Sequence, residues 1–361
     1  MLLPAWFYRW RAGRSAGGSA RSPSRQRQQG LPLFRTKKSI ASPRSVDAAF
    51  SNTFLPPLAH SCSSSARSTP RRAENSYAPP TPLEDLHILD FLELAGSQAK
   101  AGAALAMHQS TVCRSLQLMQ QQFQLLPRRG APIFRHGHNT CLHHLRLAYR
   151  EHRLMAGLIR LGTDLLHQSL LHGMAGVQLV PPRFRNAEHW AELVNHGLLD
   201  GAIVSSFCLE QQLQSGQSPK WDGLTAMPMG QLALQLVATT TEAKQVLLPR
   251  RGALPLLHQA LEWHGLGVAA QPEACQEPAA WLKRARDRKL AMPVCAELLG
   301  PGWLEANALV PLAAQPPLIE QLWLLLPRSA AHSKAARLCL RLLKVRINRA
   351  ATAPVAAGVG A

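Results

Sequence analysis

Between Ala95 and Arg150 the chain contains no aspartate or glutamate. The same stretch carries Lys100, Arg114, Arg128, Arg129, Arg135, Arg146 and Arg150, together with histidines 108, 136, 138, 143 and 144. A solvated helical face ordinarily mixes charge signs, so this purity points to neutralisation of a polyanion, with phosphate as the simplest case. Within it, Gln109, Ser110, Thr111, Cys113, Arg114 and Gln117 fall on one side of a helical period. Gln can pair with adenine and Arg with guanine, while Ser and Thr are permissive, so most of this face is suited to reading base edges. Lys100 in the preceding helix and Arg128, Arg129 and Arg135 in the following loop complete a candidate set for double-stranded DNA.

Other residue groups point to other chemistries. "HGHNTCLHH", His136 to His144, has the residue types of a zinc or nickel site, but its spacing matches no closed tetrahedral pattern, so no metal is expected. A thiol switch at Cys208, or at a Cys275/Cys295 pair, competes with the commoner role of a buried cysteine as a small hydrophobe. Acids are scattered, and there is no Gly-x-Ser-x-Gly elbow, Gly-rich phosphate loop or usefully spaced carboxylate pair, which argues against an enzyme and against a cofactor. Hydroxyls at strand ends, Ser205 and Ser206 after "GAIV" and Thr239, Thr240 and Thr241 after "LQLVA", are candidates for holding a small-molecule effector.

The elements that must position these residues are legible from periodicity. Thr81-Pro82 opens a first helix with a hydroxyl cap, an early proline and Glu84-Asp85 facing the dipole. Leu83, Leu86, Leu89 and Leu92 form its apolar stripe. Gly96-Ser97 ends it and caps an alanine-rich second helix. A third helix starts near Gln109, with Val112, Leu116, Met119 and Phe123 on one face. "LLPRRGAPIFRHGHNTC" then reads as loop or short hairpin. From Leu142 to about His172 two leucine-rich rows, one through Leu147, Leu154, Leu158, Leu161 and Leu165, predict a long helix broad enough to pair with a second chain.

Beyond His172 the pattern turns α/β. "GVQLV", "LDGAIVSSF", "LALQLVATTT", "QVLLP", "KLAMPVC", "LVPL" and "QLWLLLP" read as strands. "AEHWAELVNHG", "ALPLLHQALEWHG" and "SKAARLCLRLLKVRI" read as helices. The alternation favours a mostly parallel sheet with ligand crevices at its strand ends.

At 361 residues, with 46% hydrophobic and 17% charged residues, the chain has room for two or three folded units. Its 40 Lys and Arg against 21 Asp and Glu leave a net charge of +19, which suits nucleic acid or an anionic surface. No uncharged apolar run approaches the ~18 residues of a membrane helix. The seven cysteines are scattered without CxxC pairs, as expected of reduced thiols in a cytosolic compartment. Residues 1–80 hold 13 basic and 2 acidic residues in a Ser/Pro/Arg-rich composition that predicts disorder. Three readings of that extension compete: a nucleic-acid tail, a targeting segment, or sequence upstream of the native start.

"LEDLHILDFLELAGSQAKAGAALAMHQSTVCRSLQLM" resembles the N-terminal winged helix-turn-helix of LysR-type transcriptional regulators. Leu86, Leu89, Gly96, Ser97, Ala101, Leu105, Gln109, Thr111, Val112, Arg114 and Leu116 match that family's pattern without a gap. Three positions depart: His108 stands for the serine that caps the recognition helix, Ser110 for a common proline, and Cys113 for a serine that contacts DNA. Loss of the cap predicts a cost of about 1 kcal/mol. Further on, "HWAELVNHGLLDGAIV", "LTAMPMGQLALQLVA" and "KLAMPVCAELL" are similar to segments of the family's effector domain. The first lobe looks one strand and one helix short of the family pattern. Altogether the resemblance spans roughly residues 83–347.

What the resemblance implies is an α/β architecture: an N-terminal winged helix-turn-helix with an all-α core, a long linker helix, and a two-lobed effector domain like a periplasmic binding protein. The expected boundaries are 81–141 for the head, 142–172 for the linker and 173–347 for the effector domain. Lobe one takes 173–233 and 309–347, lobe two takes 234–308, and 348–361 is a disordered tail. The implied function is sequence-specific DNA binding by a cytoplasmic, nucleoid-associated homodimer or homotetramer, modulated by a small molecule between the lobes. The alternative is a small-molecule-binding relative whose degraded head serves only assembly.

Overall fold

The computed structural model describes residues 83–352, apart from 215, 273–276, 314, 315 and 317 and the side chains of 351 and 352. The basic extension, the Thr81-Pro82 helix start, Cys275 and the last nine residues lie outside the described residues.

Three helices open the fold: α1 (Glu84–Ala95), α2 (Gln98–Ala104) and α3 (Gln109–Gln122). Gly96 ends α1 in the left-handed conformation, its amide bonding Leu92 O at 2.9 Å. Ser97 caps α2 by accepting from the Lys100 amide at 3.3 Å. The turn from α2 into α3 is tight because Gly102 lets it be. A Cβ there would stand 2.8 Å from Met107 O, while the Met107 amide bonds Gly102 O at 2.9 Å. Leu86, Leu89, Leu92, Ala101, Val112, Leu116 and Met119 close a small core, joined by Leu142 and Tyr149 from the next helix.

That next helix, α4 (Thr140–Met155), is where the sequence reading fails. The predicted helix over 142–172 stops at Met155, and Leu158 to Leu165 do not continue its stripe. Gly157 sits at φ 75° just beyond the C-cap and terminates α4. Ile159–Gly162 is then strand β1, buried throughout, and Gln168–Leu171 is a short helix, α5. These are the strand and helix that the first lobe looked to lack. A buried strand reading "IRLG" offers no alternation to distinguish it from a helical leucine row.

Strand β2 (Val177–Leu179), helix α6 (Ala187–Asn195) and strand β3 (Gly201–Ser205) follow, then the long β4 (Leu224–Ala238). Strand β5 (Gln245–Pro249), helix α7 (Pro255–Trp263), strand β6 (Gly267–Gln271), helix α8 (Pro278–Asp287) and strand β7 (Met292–Val294) come next. The chain closes with α9 (Trp303–Ala306), β8 (Val310–Pro311), β9 (Leu318–Pro327) and α10 (Lys334–Thr352). The helix therefore runs past 348, where a tail was expected.

The principal sheet has the order β2-β1-β3-β9-β4-β7, with β8 also on β4; β5 and β6 pair separately. Among the described residues, parallel pairing joins β2-β1-β3 and β5-β6, with one isolated parallel bridge from Val246 of β5 to Ala291, whereas β9 runs antiparallel to both β3 and β4. The sheet is thus mixed rather than mostly parallel. Strands β4 and β9 pair over ten registered positions, and β4 passes beyond them to take up β7 and β8. The large core lies on this sheet and includes Trp190, Leu193, Leu199, Val204, Leu236, Leu248 and Leu324. Phe91 and Leu94 of α1, with Ile133 and Phe134 of the loop after α3, also pack into it. No helix among the described residues is long and apolar enough to cross a membrane.

Candidate nucleic-acid interface and the polar centres beneath it

Helix α3 turns Val112, Ser115, Leu116 and Met119 inward. Gln109, Ser110, Arg114 and Gln117 are exposed, and Thr111 and Cys113 are half-buried at the edge of the same face. His108 does cap the helix. Its Nδ1 accepts from the Ser110 amide at 3.2 Å and stands 2.8 Å from the Ser110 hydroxyl. The expected cost of losing the serine cap is therefore offset by the imidazole, which supplies the acceptor that the first turn lacks. Gln109 Nε2 donates to Gln98 Oε1 at 3.3 Å, tying α3 to α2. On the inner side Ser115 donates to Asp85, which fixes α3 against α1.

Arg128 and Arg129 are exposed, and Lys100 and Arg135 are half-exposed. The loop holding the last three arginines contains no strand among the described residues. Its ends meet through the Arg128 amide on Arg135 O at 2.9 Å, and Arg135 Nε donates to Ala131 O at 3.0 Å. Ile133 and Phe134 are buried core contacts that moor this loop to the body.

Two members of the basic stretch are not at the surface. Arg146 and Arg150 are buried, as are Arg153 and Arg160. Asp90 of α1 receives Arg146 Nε at 2.7 Å and Arg160 Nη1 at 3.3 Å. Asp200, just before β3, receives Arg153 Nε at 3.0 Å and the Arg160 backbone amide at 2.6 Å. His87 Nδ1 accepts from the Tyr149 hydroxyl at 2.7 Å and from Arg160 Nη2 at 2.8 Å. Burial, then the charges of Arg160 and Arg153, lower the His87 pKa to about 2, which keeps the ring neutral and accepting. The network joins α1, α4, β1 and the turn before β3, so it fastens the three-helix head to the body.

Beside it, His138, His143 and His196 gather. His138 packs on His196 with centroids 4.7 Å apart, and His143 Nδ1 lies 3.3 Å from His196 Nδ1. Burial and neighbouring cations lower all three pKa values, that of His138 to about 4.

Of the candidate effector residues, Ser205 is buried at the end of β3, where its Oγ donates to Glu320 and accepts from the Phe207 amide at 3.1 Å. Ser206 Oγ accepts from the Gln321 amide at 3.1 Å. Both hydroxyl oxygens thus bind β9. Thr239, Thr240 and Thr241 are exposed in the turn leaving β4, well beyond Gly230, where the β3–β9–β4 register passes Ser205. The structure does not bring the two serines and the three threonines together.

A second polar centre had no signal in the sequence. His167 is held between Asp164 Oδ1, 2.7 Å from Nδ1, and Glu320 Oε1, 2.7 Å from Nε2. Burial opposes the charge, but the two carboxylates outweigh it and raise the His167 pKa well above its usual value. Cys295 Sγ lies 3.8 Å from Glu320 Oε1. Burial pushes the Cys295 and Cys208 thiols well up, and nearby carboxylates push them further. The three residues that meet, His167, Cys295 and Glu320, lie far apart in the chain, so no spacing rule could find them.

No family model matches the chain, and no curated protein does. Among solved structures it is similar to ArgP from Mycobacterium tuberculosis, at 16% identity and a TM-score of 0.39, covering 73% of this chain and 96% of that one. It is likewise similar to full-length LysG from Corynebacterium glutamicum with its effector Arg bound, at 14% identity and a TM-score of 0.36, covering 74% and 98%. The regulatory domain of MetR from N. meningitidis, a LysR family regulator, matches at 13% identity and a TM-score of 0.39, over 53% of this chain and 94% of that one. All three TM-scores fall below 0.5, so what this chain does must be read from its own residues.

Proposed function

We propose that the chain is a sequence-specific DNA-binding transcriptional regulator of LysR type, with helix α3 as its reading helix and its mixed α/β body as the part that senses a small molecule. The observation that carries this reading is the outer face of α3. Gln109, Ser110, Arg114 and Gln117 stand exposed there, backed by a closed core and flanked by Lys100, Arg128, Arg129 and Arg135. Gln109, Ser110, Thr111, Cys113, Arg114 and Gln117 would enter the major groove, and the flanking cations would take phosphates. The protein would act in the cytoplasm on nucleoid DNA as a homodimer or homotetramer, since paired heads read paired half-sites. Arg114→Ala is expected to weaken binding to selected genomic fragments by about 1–3 kcal/mol, roughly 5- to 150-fold, with circular dichroism unchanged. Equal binding by the folded variant would remove α3 from the interface.

One observation favours a second reading. The head is fastened to the body by the buried Asp90, Arg146 and Arg160 contacts. A small-molecule-binding protein using its head only for assembly would show the same fastening. Such a protein would bind DNA without sequence preference, or not at all, so competition between selected and scrambled fragments separates the two.

A further inference from the structure

We infer that His167, Glu320 and Cys295 form a buried site for a divalent transition-metal ion, Zn2+ being the best match to one nitrogen, one oxygen and one thiolate donor. The inference goes beyond the DNA-binding reading and does not depend on it.

The three side chains come from the loop after β1, from β9 and from the end of β7, and each is at most 2% exposed. One donor atom of each lies within 4.8 Å of the other two. Bond lengths of about 2.0–2.3 Å around a tetrahedral ion place its ligand atoms on the order of 3.5 Å apart. The His167 Nε2 to Glu320 Oε1 contact of 2.7 Å would open slightly to admit an ion, and the 3.8 Å between Cys295 Sγ and Glu320 would close slightly. Both changes are within reach of small side-chain rotations.

The surrounding contacts favour a metal site over a plain buried ion pair. Asp164 Oδ1 takes His167 Nδ1 at 2.7 Å and is itself held by the backbone amides of Leu166 and His167, at 3.0 and 3.2 Å. That leaves Nε2 aimed at the centre, in the carboxylate–histidine arrangement that orients metal-binding imidazoles. Ser205 donates to Glu320 Oε2, which leaves Oε1 aimed at the same point. Each atom turned away from the centre is thus occupied, and each atom turned toward it is a donor. A thiol facing a carboxylate adds little as a hydrogen-bond donor, whereas as a thiolate it is a strong zinc ligand.

The exchange balances. Carboxylates on both ring nitrogens hold His167 as the imidazolium, so entry of M2+ releases one proton from Nε2 and one from Cys295 Sγ to solvent. The net charge of the buried cluster is then unchanged, and a fourth ligand position stays open for water.

The test is a titration of the full-length chain, stripped with a chelator, with Co2+ at neutral pH. One equivalent should produce visible d–d bands of a four-coordinate centre and a near-ultraviolet thiolate-to-cobalt band, and one equivalent of Zn2+ should erase both. Cys295→Ser should lose the near-ultraviolet band, and Glu320→Gln should weaken Co2+ binding about tenfold or more. His143→Ala, in the separate histidine cluster, should change neither. Absence of Co2+ uptake by the folded chain overturns the assignment, as does a near-ultraviolet band that survives Cys295→Ser. Should Cys295→Ser fail to fold, Glu320→Gln decides, and undiminished binding by that variant is equally fatal. Loss of binding in His143→Ala would place the ion at the other cluster and also overturn it.

Discussion

A histidine ring holds the first turn of α3, since His108 Nδ1 accepts from the Ser110 amide at 3.2 Å where a serine or aspartate oxygen would usually do so. His108→Ala should therefore cost about 0.5–2 kcal/mol, and His108→Ser should recover most of it. Urea unfolding of the full chain measures both, and an Ala variant as stable as the parent would show that the ring contact contributes nothing. His87 likewise accepts through Nδ1, from the Tyr149 hydroxyl and Arg160 Nη2. Its folded pKa is about 2, against roughly 6.5 when unfolded. Between those values the unfolded chain binds a proton that the folded chain refuses. Stability from this source is complete above about pH 6.5 and declines as pH falls toward 2. His138, lowered to about 4, acts in the same direction. The melting temperature should thus drop between about pH 6.5 and 4.5, and His87→Gln should flatten that slope. An identical slope in the variant would assign the acid sensitivity elsewhere.

Among elements, the junction of α4 and β1 shows what decides a helix end. The leucine rows through Leu147, Leu154, Leu158 and Leu161 satisfy a helical period, yet the chain leaves the helix at Gly157. That glycine lies at φ 75°, and a Cβ added to it would meet no heavy atom within 4 Å. Gly157→Ala should destabilise by about 1 kcal/mol through backbone strain alone. Were the helix continuous, the same change would stabilise by a similar amount. The sign of the shift in urea midpoint distinguishes them. Legibility followed the same physics throughout. Val112, Leu116 and Met119 announce α3 because a half-exposed helix must alternate faces, and "QVLLP" marks β5 to the residue. Strand β6, "GVAAQ", and helix α8 escape a reading by pattern, the first for want of large apolar residues and the second for its dense basic side chains. The exposed polar face of α3 could be read because its residues are neighbours in sequence. The His167, Cys295 and Glu320 centre could not, because only the closing of β9 between β3 and β4 assembles it.

At the scale of the whole molecule, a net charge of +19 overstates what is available to a polyanion. Arg146, Arg150, Arg153 and Arg160 are buried, and Asp90 and Asp200 hold three of them. Arg150 donates from Nη1 to Val194 O at 3.0 Å and has the exposed Glu151 Oε1 3.8 Å from its Nε. What remains of the acid-free stretch at the surface is Lys100, Arg114, Arg128, Arg129 and Arg135. Each phosphate that one of them neutralises should steepen the dependence of log affinity on log salt by about 0.9. Arg128→Ala and Arg129→Ala should therefore each reduce that slope by about 0.9 per head while leaving the melting temperature within about 1 °C of the parent. Arg150→Met should do the reverse, lowering the melting temperature and leaving the salt slope of the remaining folded protein unchanged, since its guanidinium faces a backbone carbonyl and not solvent. A slope that falls equally in Arg150→Met and Arg129→Ala would mean that the head leaves the body when DNA binds, exposing the buried arginines to phosphate.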